Sequence, residues 1–185
     1  MTKLSALLVA AALVSGAGAA HATNYIVNGG FETGDYTGWT ENGLSGVAST
    51  GTGGWPSHSG RFFSFEGAVG SDHTLSQTFN DINGQALTIA FWYGSDGGTP
   101  NDLNVIYDGI TIFTLNNAPS TKPAYTLFQF AVTATGNDTL TLGIRNDPSF
   151  QALDDVSVNS VPEPASLALL GMGVLGLGFL RRRKA

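Results

Sequence analysis

The sequence predicts an all-β domain, an antiparallel β-sandwich of the jelly-roll type, between two hydrophobic chain ends. Three observations predict it. Apolar and polar residues alternate, as they do on half-buried strands; Gly, Asn, Asp, Ser and Pro cluster between the alternating runs; and no segment has a sustained helical period outside the hydrophobic ends. Short strands separated by turns in this way are typical of sandwiches and jelly rolls. Residues 23–160 are therefore assigned to one β-sandwich domain.

The clearest strand covers residues 87–93, where Leu, Ile, Phe and Tyr share one face and Trp92 lies on the other. The next two strands, 103–107 and 110–115, flank Asp108-Gly109, a two-residue hairpin signal. Further alternating runs cover residues 128–132, 140–144 and 156–158. By contrast, residues 42–60 are rich in Gly, Ser and Thr and are expected to form a mobile loop.

The first 22 residues have the pattern of a secretory signal peptide. Lys3 is a minimal basic region, residues 4–14 form a hydrophobic stretch, and Ala20 and Ala22 flank His21 in a small-x-small cleavage site. The mature chain is therefore expected to begin near Thr23.

The last 25 residues, 161–185, read as a sorting tail. The box Pro162, Glu163, Pro164 is followed by a predicted hydrophobic helix over residues 165–180, and then by three arginines and a lysine. The helix is short for a bilayer, which usually needs ~20 residues, and its glycines weaken it further. The cations are expected to stay on the cytoplasmic side, which places the preceding domain outside. An ordinary single-pass anchor is the alternative.

This tail resembles the PEP-CTERM signal of Gram-negative bacteria, in which a Pro-Glu-Pro box precedes a short helix and an arginine cluster, here Arg181, Arg182 and Arg183. The resemblance implies processing by an exosortase-type membrane protease, which cuts near the box and releases or re-attaches the domain outside the cell. The membrane would hold the chain through its C-terminal helix before that step. Proteins with such tails are linked to exopolysaccharide and biofilm production.

The charge of the domain excludes some partners. Between Thr23 and Val161 there are three basic residues and thirteen acidic ones, which leaves a net charge of about −10. Such a surface disfavours nucleic acid and anionic lipid, and it favours neutral or cationic ligands and divalent cations. The chain has no cysteine, so no disulfide stabilises the domain.

Two short motifs resemble the opening and closing strands of galactose-binding-like jelly rolls, the fold of many carbohydrate-binding modules. The first is Asn-Gly-Gly-Phe-Glu at residues 28–32, followed by Gly38-Trp39; the second is Leu-Asp-Asp-Val-Ser-Val at residues 153–158. In that fold Trp39 would be a core residue. The resemblance also implies that an acid from each of these strands, here Glu32 and Asp154, holds a structural Ca²⁺.

Strand alternation also draws attention to Asp154. In a regular strand it lies on the same face as Val156 and Val158, which is the predicted core side. A buried carboxylate needs a partner, and an oxygen-bound calcium ion would supply one. Asp155 faces outward on this parity. The alternative is that Glu32 accepts backbone N–H bonds in a turn, with Asp154 at a solvated strand end.

Sugar binding needs an aromatic platform and a few convergent polar groups. Trp92, Gln129 and Arg145 all lie opposite core positions, so they could line one concave face if their strands are neighbours. Trp55, on the Gly-rich loop, is the other candidate platform. The alternative for Trp92 is that a loop covers it.

Catalytic patterns are sparse. His58 and His73 are the only histidines after the signal peptide, and neither belongs to a recognisable nucleophile, phosphate-loop or zinc motif. Three functions remain open: a non-catalytic polysaccharide-binding module, a structural or protein-contacting matrix component, and a glycan-acting enzyme whose paired carboxylates the sequence does not reveal. They are given in order of preference.

Overall fold

Ten strands pair into two five-stranded antiparallel sheets in the computed structural model, which describes residues 22–43 and 46–162. Residues 1–21 of the predicted signal peptide and the predicted hydrophobic helix over residues 165–180 lie outside the described residues. Within them, Thr23–Val161 forms one unit with its own core.

The strands are β1 (Thr40–Asn42), β2 (Gly46–Ser49), β3 (Phe62–Glu66), β4 (His73–Phe79), β5 (Ala86–Ser95), β6 (Asn101–Tyr107), β7 (Ile110–Asn116), β8 (Thr126–Thr133), β9 (Asp138–Asn146) and β10 (Gln151–Ser160). Sheet I has the order β2-β3-β10-β5-β8, and sheet II has the order β1-β4-β9-β6-β7. A single 3₁₀ turn, Thr52–Gly54, is the only helical element among the described residues.

The predicted fold class is confirmed, since the two sheets form an antiparallel sandwich. Every alternating run identified in the sequence is a strand. The Asp108-Gly109 turn joins β6 to β7 with φ values of 50° and 77°. Positive φ at both central positions defines the turn that matches the twist of a hairpin.

The core lies between the sheets and follows the predicted parity. Leu87, Ile89, Phe91 and Tyr93 of β5 are all buried and pack against the inward side chains of β6 and β9. Trp39 is buried in this core, as predicted, and its Nε1–H donates to the Asn28 carbonyl oxygen at 3.1 Å.

The opening motif forms turns rather than the strand that was expected. Asn28 and Phe31 have positive φ values, of 53° and 57°. The segment still meets the closing strand, because the N–H of Val156 donates to the carbonyl of Gly29 at 2.9 Å. A Cβ on Gly29 would lie 1.8 Å from the Val156 carbonyl oxygen, so this approach requires glycine.

A β-bulge in β10 corrects the expected direction of Asp154. Leu153 pairs with Tyr93 and Asp154 with Trp92, but the register shifts before Ser157, and Asp155 has a φ of 50°. The extra residue reverses the alternation. Leu153 therefore faces the core, and Asp154 lies on the outer face of sheet I beside Trp92, not on the side of Val156 and Val158.

The two ends of the domain meet at the C-terminal end of β10. Asn24 forms a bridge with Asn159, and the N–H of Ser160 donates to the Thr23 carbonyl at 2.9 Å. The N–H of Val161 donates to the carbonyl of Ala86, the first residue of β5, at 2.9 Å. The chain therefore enters and leaves the domain at one place.

Candidate ligand-binding face

The outer face of sheet I carries the best-placed aromatic side chain of the domain. Trp92 is half-buried and points away from the core. Next to it on β5, Ala90 is small, and its partners across β8 and β10 are Gln129 and Ser157. Gln129 is therefore a diagonal neighbour of Trp92, within reach of long side chains. Because Ala90 and Ser157 are small, the surface beside the Trp92 indole is shallow. The exposed side chain of Gln129 lies at its edge.

His58 covers part of the Trp92 indole. The two rings stack with centroids 3.9 Å apart and an interplanar angle of 17°. His58 Nδ1 lies 2.5 Å from an Asp155 carboxylate oxygen, and Tyr125 meets the imidazole edge-on. The predicted alternative, in which a loop covers Trp92, thus holds for one part of the ring.

Asp154 holds the loop that carries His58. It is fully buried, and its Oδ2 accepts the backbone N–H of His58 at 2.8 Å and that of Ser59 at 3.2 Å. Its Oδ1 accepts the N–H of Asp155 at 2.8 Å. Burial, followed by the charge of Asp155, raises the pKa of Asp154 to about 7. This carboxyl is a loop anchor in mid-strand, not an acid at a solvated strand end.

Trp55 is not an exposed platform, contrary to the prediction. It is fully buried against the outer face of sheet I, packing with Phe63 and Ala152 in a second hydrophobic cluster. Its Nε1–H donates to Asp96 at 3.0 Å. A Cβ on Gly94 would lie 2.4 Å from the indole, so the absence of a side chain there makes room for the ring.

The segment expected to be a mobile loop, residues 42–60, contains regular structure and a buried anchor. It contains strand β2, and its Trp55 fixes it to sheet I.

Glu32 lies near the same loop. Its Oε1 accepts the backbone N–H groups of Arg61 and Phe62, each at 2.9 Å. This is the alternative considered for Glu32, although the donors are about thirty residues away instead of within one turn. Among residues 22–43 and 46–162, no group of three or more His, Cys, Asp or Glu side chains could hold a metal ion. Glu32 and Asp154 do anchor one loop together, with their oxygens turned to N–H donors; calcium binding there stays a prediction.

Arg145 does not share a face with Trp92 and Gln129. It lies on β9 in sheet II, whereas the other two are on neighbouring strands of sheet I, so the expected three-residue surface is wrong. Arg145 instead forms a two-pronged ion pair with Asp147, with both N–O distances at 2.7 Å. The reason is strand order, because β9 pairs with β4 and β6.

The outer face of sheet II carries a close pair of acids beside Arg145. Asn104 Nδ2 donates to Asp72 at 2.9 Å and to Asp102 at 3.3 Å. Burial, followed by the Asp72 charge, raises the pKa of Asp102 to about 6. Asp72 and Asp102 thus share one amide donor.

Three contributors to the Trp92 surface were missed from the sequence, namely His58, Tyr125 and the role of Asp155 as the partner of His58. His58 and Tyr125 lie in irregular or strand-edge positions where periodicity carries no information. One local signal was available for Asp155: two successive acids within a strand interrupt the alternation of apolar and polar residues.

A family model for the PEP-CTERM protein-sorting motif matches residues 160–184. The chain carries a PEP-CTERM sorting motif. Pro162, the first residue of the Pro-Glu-Pro box, is exposed directly after β10. Glu163, Pro164 and the arginines Arg181, Arg182 and Arg183 lie outside the described residues, as do the cleavage-site residue Ala20 and the predicted helix over 165–180. In the described ranges there is no helix of the length and apolarity that a membrane span needs.

Solved structures share the fold of the domain. TmCBM61, solved in complex with β-1,4-galactotriose, matches with a TM-score of 0.59 at 19% identity, over 76% of this chain and 99% of that one. A native family 35 carbohydrate-binding module from Clostridium thermocellum matches with a TM-score of 0.51 at 10% identity, over 75% of this chain and 98% of that one. The fold is thus that of carbohydrate-binding modules.

The enzymatically active domain of tailspike protein 4 from bacteriophage CBA120 also matches, with a TM-score of 0.55 at 12% identity. That match covers 75% of this chain and 21% of the tailspike chain. No curated protein sequence matches this chain.

Proposed function

We propose that this PEP-CTERM protein is an exported, non-catalytic, carbohydrate-binding protein of the cell surface or extracellular matrix. The observation that carries the proposal is the outward-facing indole of Trp92, set beside a low surface and the exposed amide of Gln129. An aromatic face accepts the C–H groups of a sugar ring, while side-chain amides and hydroxyls match its hydroxyl groups.

The chemistry of the surface favours a neutral polysaccharide. Gln129 and Ser157 are uncharged donors and acceptors, and the domain as a whole is strongly acidic. An anionic glycan would meet repulsion from that charge. The carbohydrate-binding modules that share the fold support a glycan ligand by analogy only, since a fold does not specify a function.

The sorting motif supports the proposed location of this activity outside the cell. An exosortase-type protease is the proposed processing partner, acting near residues 162–164 on a precursor that the membrane holds through its C-terminal segment. The released or re-attached domain would then contact the exopolysaccharide of the producing cell or its biofilm.

The carboxylate pairs support a non-catalytic role. Glycoside hydrolysis uses two carboxyl groups about 5 to 9.5 Å apart, on either side of the scissile bond. Asp72 and Asp102 both accept from the side-chain amide of Asn104, at 2.9 Å and 3.3 Å, so a donor of the protein itself engages this pair. Asp138 is fully buried and is engaged by Thr135 and Tyr107.

A structural or protein-contacting matrix role is the second candidate, and the stacking of His58 on Trp92 favours it. If His58 never leaves the indole, the platform is too small for a sugar ring. The two candidates therefore differ in whether Trp92 is available.

Binding of purified 23–161 protein to a panel of neutral and acidic polysaccharides separates these candidates. The panel includes the exopolysaccharide of the producing organism. We expect saturable binding that Trp92→Ala abolishes and Gln129→Ala weakens. Ile110→Ala, which removes an exposed apolar side chain from sheet II, is the matched control and should bind normally. Absence of binding across the panel by the folded wild type would contradict the proposal and favour the structural role.

A further inference from the structure

A layer of buried polar side chains closes the core at one end of the sandwich. On sheet I, Glu66, Gln151 and Ser95 lie side by side on β3, β10 and β5. On sheet II, Asn101 and Asn146 pair across β6 and β9 and face the same interior. All five are at most 2% exposed. These five residues are called the polar layer.

Two amides of the polar layer interlock. Asn146 Nδ2 donates to the carbonyls of Gly97 and Phe150, each at 3.2 Å, and Gln151 Nε2 donates to the carbonyl of Arg145 at 2.9 Å. Each amide thus reaches the backbone beside the other. Because every partner is a carbonyl oxygen, turning either amide over would place oxygen against oxygen. The orientation of both groups is therefore determined by their partners.

Their oxygen atoms are left as buried acceptors. Neither Asn146 Oδ1 nor Gln151 Oε1 accepts a hydrogen bond, although both residues are fully buried. The Tyr93 hydroxyl, on the same face of β5 as Ser95 and two residues before it, is buried beside them. Interior acceptors are almost always matched by a donor or a cation.

Glu66 adds a carboxylate next to these oxygens. It is the direct cross-strand neighbour of Gln151, and its Oε1 accepts the hydroxyls of Tyr36, at 2.7 Å, and Ser64. The N–H of Asn146 donates to the Ala68 carbonyl at 3.0 Å, which brings the end of β3 to β9. One carboxylate and two amide side chains therefore occupy neighbouring positions on three strands.

We propose that the polar layer is a binding site for a single hard cation, Ca²⁺ in the first place. Calcium takes oxygen ligands only, including carboxylates and the carbonyl oxygens of Asn and Gln, in flexible geometry. With a single carboxylate, the site belongs to the weak class of calcium sites, because affinity rises with ligand charge. Backbone carbonyls and water complete the coordination.

This site differs from the one predicted at Glu32 and Asp154. There the carboxylate oxygens accept five backbone N–H bonds in all. In the polar layer the side-chain oxygens of Asn146 and Gln151 accept none, whereas that of Asn101 accepts the N–H of Ala118 at 2.8 Å. Its ligands are mostly neutral, so it contains no cluster of acids or histidines, in agreement with the lack of such a cluster among the described residues.

The test measures calcium binding to the full chain in mild detergent, after removal of metals with EDTA in a tetramethylammonium buffer. Titration calorimetry gives the stoichiometry, and thermal unfolding gives the stabilisation. We expect one Ca²⁺ per chain. At a free calcium concentration ten times the dissociation constant, the ratio of folded to unfolded protein should rise about elevenfold. Na⁺, K⁺ and Mg²⁺ at equal ionic strength serve as comparisons.

Variants locate the ion. Gln151→Leu should abolish binding, and the isosteric Glu66→Gln should weaken it at least tenfold while it preserves the far-ultraviolet circular dichroism. Glu41→Gln, the same change at an exposed position on β1, and Asp154→Asn should bind calcium as the wild type does.

If Gln151→Leu does not fold, Glu66→Gln alone decides the question. Normal calcium affinity in Glu66→Gln would overturn the proposal. So would loss of binding in Asp154→Asn alone, which would place the ion at the predicted site instead. A wild type that binds no calcium would also overturn the proposal, and would mean that water satisfies the buried oxygens. A wild type that responds only to Na⁺ or K⁺ would overturn it as well.

Discussion

Replacing Asp154 by Asn removes a carboxyl group whose ionisation opposes folding. In the folded domain, burial and the neighbouring Asp155 raise the pKa of Asp154 from 3.8 to about 7. The folded state therefore holds a proton on this group between these two pH values, where the unfolded chain has released it. Because the native state binds more protons, stability falls as pH rises through this window.

The size of the effect follows from the pKa difference. Each factor of ten in acid dissociation corresponds to 1.36 kcal/mol, so ionising Asp154 in the folded domain costs on the order of 4 kcal/mol. The favourable contribution of Asp154 to the free energy of unfolding is at its full value below pH 3.8. It declines by up to 1.36 kcal/mol per pH unit and is constant again above about pH 7.

Urea unfolding of wild type and Asp154→Asn, from pH 4 to pH 8 in EDTA, gives the free energy of unfolding of each protein. The difference between the two at each pH measures the contribution of Asp154. We expect the wild type to lose stability relative to the variant as pH rises. Asp147→Asn is the control, because the ion pair with Arg145 lowers the pKa of Asp147 to about 2. Its difference from wild type should not change above about pH 5.

A wild-type-minus-Asp154→Asn difference that stays constant from pH 4 to pH 8 would refute the reasoning. It would mean that the three N–H donors to Asp154 outweigh burial. Repeating the series with millimolar calcium adds a test of the predicted metal site. A calcium ion on Asp154 would hold the carboxyl ionised and remove the pH dependence; calcium in the polar layer would leave it unchanged.

Two further predictions concern the loop over sheet I. Trp55→Ala should destabilise the domain by about 3–5 kcal/mol in urea unfolding, because a fully buried indole leaves a cavity; a loss below 1 kcal/mol would mean that the loop is not fixed by this ring. Glu32→Ala should cost about 0.5–1.5 kcal/mol, because the exposed N–H groups of Arg61 and Phe62 lose their acceptor to water, whereas Glu32→Gln should restore most of it. If the Glu32→Ala melt still responds to EDTA as the wild type does, Glu32 is not a calcium ligand.

The regular part of the fold could be predicted from the sequence because alternation reports directly on which side of a strand is buried. The β5 side chains from Leu87 to Tyr93 show this, as does the Asp108-Gly109 hairpin. Both depend only on residues that are close in the chain, so neighbouring residues contain the necessary information.

The site was harder to predict because it depends on distant residues and on one irregularity. A single extra residue at Asp155 reverses parity and moves Asp154 to the other face of the sheet. Arg145 was expected beside Trp92, but strand order, which alternation does not encode, puts it on the other sheet. The burial of Trp55 depends on Gly94, nearly forty residues away, where the lack of a side chain makes room.

The meeting of the domain's two ends at β10 has a mechanical consequence. A pull on the chain after Val161 enters β10, a central strand with β3 on one side and β5 on the other. Peeling it away would break hydrogen bonds to both neighbours, and the Asn24 bridge to Asn159 must open first. Ten residues of strand, about 30 Å at 3.3 Å per residue, separate the pulled end from the polar layer at Gln151. In a domain tethered there, drag from flowing polymer would act on the central strand of sheet I.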